Sequence, residues 1–150
     1  MQKIKPFLWF DTQAQEAMNF YVSVFKNARV IDVNRAGDRV TVVSFQLEDQ
    51  LFTAFNAGPQ FKFTEAISFV VDCKSQEEVD ELWEKLSDGG EQGHCGWLKD
   101  KYGLSWQIIP SALVELLTDE DAEKSRRVMD AMMQMGKIDI AQLRRAGETA

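Results

Sequence analysis

Few side chains in this sequence could do covalent or metal chemistry, and their spacing argues against most of it. Cys73 and Cys95 are the only cysteines. They are too few for a disulfide framework and too far apart for a zinc clasp, so both are expected reduced and at least partly buried. His94, the single histidine, adjoins Cys95 and invites a nucleophile-base reading. If the pair lies on a strand, adjacent side chains point to opposite faces and cannot bond each other. A lone histidine in a glycine-rich stretch is more commonly a surface or structural residue than a ligand. Lys99 and Asp100 read as a solvated turn rather than an acid-base pair. The glycines from Gly89 to Gly103 follow a helix and sit among short strands, so they do not build the strand-to-helix turn that cradles a nucleotide-like cofactor.

Composition narrows the partners. The chain has 150 residues, 45% apolar and 27% charged, which is ordinary usage for one globular domain. A net charge of −7 repels phosphate backbones and anionic lipid, so neither nucleic acid nor a membrane surface is expected as a partner. No window approaches the roughly 18 apolar residues of a membrane span. Lys3 to Phe10 enters an amphipathic strand without a signal-peptide core, so a cytoplasmic location is expected.

The elements that must position any site come as a repeat. Ile4 to Phe10 reads as a strand, followed by Asp11 and a capping-box pattern, Thr12-Gln13-Ala14-Gln15. Ala14, Ala17, Met18, Tyr21, Val22 and Phe25 then step by three and four along one helical stripe. Strands are expected over Arg29 to Arg35, Val40 to Leu47 and Leu51 to Asn56, joined by polar turns. After Gly58-Pro59 the order restarts: a strand over Ala66 to Asp72, a capping box at Ser75-Gln76-Glu77-Glu78, and a stripe of Val79, Leu82, Trp83 and Leu86 ended by Gly89. An edge strand near Gln92 and strands over Cys95 to Asp100 and Leu104 to Ile109 complete the second unit. Two more helices are expected, over Asp119 to Met135 and from Asp139; Asp139 caps the latter, with Ile138 and Leu143 at its staple positions. The Met-rich stripe of the former reads as packing surface, on this chain or a second subunit.

The order of Phe20-Tyr21, Phe63-Thr64-Glu65-Ala66-Ile67-Ser68-Phe69, Cys95-Gly96-Trp97-Leu98-Lys99-Asp100, Ser105-Trp106-Gln107 and Lys137-Ile138-Asp139-Ile140 resembles the PhnB-like branch of the vicinal oxygen chelate superfamily. That superfamily takes in glyoxalases, bleomycin-resistance proteins and extradiol dioxygenases; the branch also carries the label 3-demethylubiquinone-9 3-methyltransferase. The resemblance implies an α+β fold in which two βαβββ modules, about 1–58 and 62–110, form a curved mixed sheet around a cup, with a helical tail over about 111–147. It also implies a homodimer. In metal-dependent relatives the cup holds a divalent ion on His and Glu side chains. Carried onto this sequence, those positions fall near Lys5, Ala54, Ala66 and at Gln107, none a good ligand, so no metal and no cofactor are expected. A shift in register that brought Glu65 inward would leave a carboxylate-based metal site open.

If Gln107 faces the cup, alternation takes Ser105 and Ile109 with it; likewise Ala54 takes Phe52 and Asn56, Lys5 takes Phe7 and Trp9, and Ala66 takes Ser68 and Val70. The candidate ligand-binding set is then Phe7, Trp9, Asn56, Ser68 and Gln107, with Trp97 on the neighbouring strand. Aromatic walls with a few neutral hydrogen-bonding groups suit a small apolar or aromatic molecule. The same residues also read as filling of the cup, with amides satisfying backbone groups, which would leave a dimerisation module. Two enzymatic readings compete with these: a divalent-metal-dependent lyase or dioxygenase, and a methyltransferase as the label says, for which the residues offer no support.

Overall fold

The computed structural model describes residues 2–148. The chain divides after Lys62 into two compact units, each carrying one four-stranded mixed sheet.

The first unit comprises β1 (Phe7–Phe10), α1 (Ala14–Val24), β2 (Ala28–Ala36), β3 (Arg39–Leu47) and β4 (Gln50–Asn56), with strand order β1-β4-β3-β2. β1 runs parallel to β4, and the other pairs are antiparallel. Ala14, Ala17, Met18 and Tyr21 of α1 are buried over Val43, Phe45 and Phe52 of the sheet. Tyr21 stacks on Phe45 at 6.2 Å between centroids, and Phe45 stacks on Phe52 at 5.3 Å. Aromatic side chains remove more apolar surface from water than any others, so this stack anchors the unit.

The capping box expected at Thr12 does not form. Gln13 occupies the cap position without a side-chain cap bond, which leaves Thr12 outside it. The backbone N–H of Ala14 instead donates to Asn56 Oδ1 at 2.8 Å, so an amide from a distant strand supplies the missing acceptor.

The second unit comprises β5 (Ser68–Cys73), α2 (Gln76–Ser87), β6 (Glu91–Gln92), β7 (Trp97–Lys99), β8 (Ser105–Pro110), α3 (Ser111–Leu117), α4 (Ala122–Met132) and α5 (Ile140–Glu148). Its sheet order, β5-β8-β7-β6, repeats that of the first, again with the first strand parallel to the last. Here Ser75 caps as expected, Glu78 N–H donating to Ser75 Oγ at 3.2 Å, while the return bond is shifted by one residue, Glu78 Oε1 accepting from Lys74 N–H at 2.8 Å. Val79, Leu82, Trp83 and Leu86 are buried in the same core as Leu98, Trp106 and Ile108.

Several boundaries differ from the sequence reading. β1 begins at Phe7 rather than Ile4, and β5 at Ser68 rather than Ala66, which lies exposed in the preceding turn. Cys95 and Gly96 turn with φ of 59° and 86°, so β7 starts at Trp97. The helix expected over Asp119 to Met135 is shorter, capped by Asp121 through Glu123 N–H and Lys124 N–H, and preceded by the unanticipated α3.

The tail helices dock on their own unit. Leu113, Val128, Met135, Ile138 and Leu143 form a core against which Ile109 packs. Gln76 of α2 grips the entry to α5, donating to Ile138 O at 3.0 Å and accepting from Ile140 N–H at 2.8 Å. Lys137 pairs with Asp80 at 2.8 Å. Cys95 N–H and Gly96 N–H donate to Met135 O and Gly136 O at 2.8 and 2.9 Å. A Cβ on Gly96 would stand 2.9 Å from Ile109 Cδ1, so only glycine suits this contact and this φ. No helix among the described residues is long and apolar enough to cross a membrane.

Candidate functional site

Each sheet has one face under its own helix, α1 or α2; on the opposite face of the second sheet the tail helices meet only the far end of β8, where Ile109 packs into their core. In the second unit, the buried side chains of Leu98, Trp106 and Ile108 share the helix face. Alternation then sends Ser105 and Gln107 of β8 to the other face, with their partners in register: Trp97 and Lys99 on β7, Ser68 and Val70 on β5. The structure brings Ser68, Trp97 and Gln107 together there, and Gln107 Nε2 donates to Ser68 Oγ at 2.9 Å. This pair is neutral and only part-buried. The Gln107 amide keeps its carbonyl oxygen as an acceptor for other groups.

At the near end of the same face lies a cavity of about 130 Å3, lined by Glu65, Glu91, Gln92, Gly93, Trp97, Leu98, Lys99 and Ser105. Lys99 and Glu65 form an ion pair at its rim. The hydrogen bond from Lys99 holds the Glu65 carboxyl below its ordinary range, and Glu65 in turn raises the Lys99 ammonium. Glu65 is thereby committed to a salt bridge. Ser105, which alternation places inward with Gln107, is 1% exposed; that near-complete burial has no signature in a local sequence pattern.

Asp100 overturns its expected place in a solvated turn. It is 2% exposed, and its carboxylate accepts from Tyr102 N–H, Leu104 N–H and Trp106 Nε1 at 2.9, 3.1 and 2.9 Å. The β7–β8 turn folds around this carboxylate, which explains why an acidic group can be buried there.

In the first unit, Leu8 and Phe10 are buried on the helix face, and Phe7 and Trp9 lie opposite. Phe55 shares their face. It meets Phe7 and Trp9 edge-on at 4.7 and 5.0 Å, and Phe61 meets Trp9 at 4.8 Å. Trp9 Nε1 donates to Gly58 O at 2.9 Å. Phe55 and Phe61 were not in the sequence-derived set. Asn56 was, and its placement beside Phe7 and Trp9 is corrected: it pairs in register with Phe10, caps α1, and donates to Val40 O at 3.2 Å. A one-residue error in strand register moves every side chain to the opposite face. Phe52 and Ala54, buried at 5% and 0%, move with it.

The residues do not fit a divalent metal ion. Lys5 is exposed ahead of β1, Ala54 lies buried, Ala66 sits in a turn, and Gln107 offers an amide. Such a set has no anionic oxygen, imidazole or thiolate. Among the described residues no three His, Cys, Asp or Glu side chains gather where they could hold an ion. His94 and Cys95 lie in the turn before β7 rather than on a strand. Burial pushes the Cys73 thiol up to about 12, beyond useful nucleophilicity at neutral pH.

The comparisons with known proteins agree with this architecture. The 3-demethylubiquinone-9 3-methyltransferase family profile matches residues 2–109. Among solved structures, a PhnB protein from Bacillus cereus is 34% identical with a TM-score of 0.69; the match covers 73% of this chain and 100% of that one. Protein PA1353 from Pseudomonas aeruginosa is 17% identical with a TM-score of 0.61, over 73% and 98% of the two chains. The fosfomycin resistance protein FosX from Listeria monocytogenes, determined with Mn(II) and sulfate, is 16% identical with a TM-score of 0.52, over 71% and 88%. No curated protein matches. The chain shares its fold with PA1353 and FosX, and it belongs to the 3-demethylubiquinone-9 3-methyltransferase, or PhnB-like, family.

Proposed function

We propose that this chain binds a small apolar or aromatic molecule on the face of the second sheet opposite α2, holding it by ring contact and neutral hydrogen bonds rather than by a metal. The observation that carries the reading is the Ser68–Gln107 pair beside Trp97. Its uncommitted amide oxygen and the indole offer one polar and one apolar contact, the combination typical of small-molecule sites. The aromatic group of Phe7, Trp9 and Phe55 gives the first sheet a comparable face opposite α1. Mn(II) accompanies FosX, but the donor set found here argues against the same chemistry in this chain. The methyltransferase name of the family has no counterpart in a glycine-rich strand-to-helix turn among the described residues, since Gly89, Gly93 and Gly96 follow α2.

The test is thermal shift with indole and 2-naphthol, beside elemental analysis of protein purified without chelator. A ligand that binds only the native state raises the melting temperature with its concentration. Indole is expected to do so, and Trp97→Ala and Gln107→Ala to diminish the effect. Stoichiometric Ni, Zn, Mn or Fe, with melting lowered by EDTA, would overturn the reading in favour of a metal-dependent enzyme. Clear calorimetric binding of S-adenosylmethionine would overturn it in favour of methyl transfer.

A further inference from the structure

Ser105 Oγ is the buried side-chain polar atom that stands without a hydrogen-bond partner among the described residues. Buried hydroxyls normally find one, because leaving water without a replacement bond costs free energy. Packing alone gives no reason for serine here, since alanine would occupy the position without that cost. Ser105 lines the cavity of about 130 Å3 at the start of β8; its hydroxyl is closed off from water, and a turn about Cα–Cβ to another staggered rotamer is what would bring it to that space, which is large enough for waters or a compact ligand group.

The charges around the cavity select the ligand. Glu65 is paired with Lys99, and Glu91 stands opposite Lys99 in the β6–β7 register. Two carboxylates and one ammonium leave the lining one negative charge in excess. Trp97 supplies an indole, whose face attracts cations. An anion entering here would meet net repulsion; a cation would not.

We propose that this cavity is a subsite for a small primary amine, whose ammonium N–H donates to Ser105 Oγ, whose charge is balanced by Glu91, and whose apolar body rests on Trp97. The proposal rests on the reading that this face binds a ligand, and it adds the ligand's polar group.

The experiment titrates the full 15N-labelled chain with benzylamine, benzyl alcohol, phenylacetate and indole, followed by NMR. Benzylamine is expected to shift the amides of Glu65, Lys99 and Ser105 and the Trp97 indole N–H, with an affinity about tenfold above phenylacetate. Ser105→Ala should weaken benzylamine about five- to tenfold, and Glu91→Gln should weaken benzylamine while leaving benzyl alcohol unchanged. Equal binding of phenylacetate, or unchanged benzylamine affinity in Ser105→Ala, overturns the proposal. If indole shifts Ser68, Trp97 and Gln107 while benzylamine leaves Ser105 unmoved, the amine subsite alone fails. If no compound perturbs this face, the subsite and the binding reading fall together.

Discussion

Two buried polar residues a few positions apart have opposite relations to stability. Asp100 is fully employed: three N–H donors converge on its carboxylate and tie the β7–β8 turn to the Trp106 indole. Asp100→Ala would strand those donors, at an expected cost of about 2–4 kcal/mol, or roughly 5–15 °C in melting temperature for a chain of this size. Asp100→Asn, which keeps an oxygen acceptor, should fall between. Ser105 is the reverse case, since its hydroxyl lacks a partner. Ser105→Ala is therefore expected to leave stability unchanged or raise it by up to about 1–2 kcal/mol, as read by urea denaturation. Stability given up at a position that gains nothing from it is the signature of a site kept for binding. A marked loss in Ser105→Ala would instead mean that the hydroxyl has a structural partner. Neither role was legible from residue type alone. An Asp beside a Lys ahead of a glycine turn reads as solvent-facing until the three donors are placed around it in space.

The helices show where local signals sufficed. Ser75 caps α2 through Glu78 N–H, and Glu78 reaches back to Lys74 N–H, because these partners lie within one turn and need nothing from elsewhere. Thr12 and Gln15 present a similar pattern, yet Asn56 takes over the cap from a strand more than forty positions away. Asn56→Ala should thus cost about 1–2 kcal/mol, whereas Thr12→Ala should cost little; thermal melts of the two variants decide between the caps. The link between α2 and α5 adds a dependence on pH. The Lys137 hydrogen bond, helped by Gln76, holds the Asp80 carboxyl below its ordinary value of 3.8. A depressed carboxyl stabilises the folded state above that ordinary value, and the contribution vanishes as pH falls through the folded one. Hydrogen exchange in α5 should accordingly accelerate relative to α2 below pH 3.8, and Lys137→Met should remove this acid dependence. The pair is solvent-exposed, so the effect should also weaken with added salt.

At the scale of the whole chain, the repeat was readable because it is written twice in periodicity, and both copies fold with their first strand parallel to their last. The faces of β4 were not, because alternation carries no information about register until a partner strand fixes it, and a shift of one residue exchanged Asn56 for Phe55. The tail is a different case. The family match ends at residue 109, and the whole of the Bacillus cereus PhnB protein is covered by 73% of this chain. The three helices beyond that point, α3 to α5, lie outside the family match, yet they are built into the second unit. Ile109 packs into the tail core, Cys95 and Gly96 give their N–H groups to Met135 and Gly136, and Gln76 makes two bonds to the α5 entry. Removing residues 111–150 would return Ile109 to water and free the turn that leads into β7. A loss on the order of 1–2 kcal/mol is expected from exposing the covered part of that one apolar side chain, measured as a lower urea midpoint. Because that turn immediately precedes Trp97, the truncated chain should also bind indole more weakly even where it remains folded. Unchanged stability and unchanged binding would mean that the tail only rests against the unit; a lower midpoint with weaker indole binding would make it a structural extension of the site.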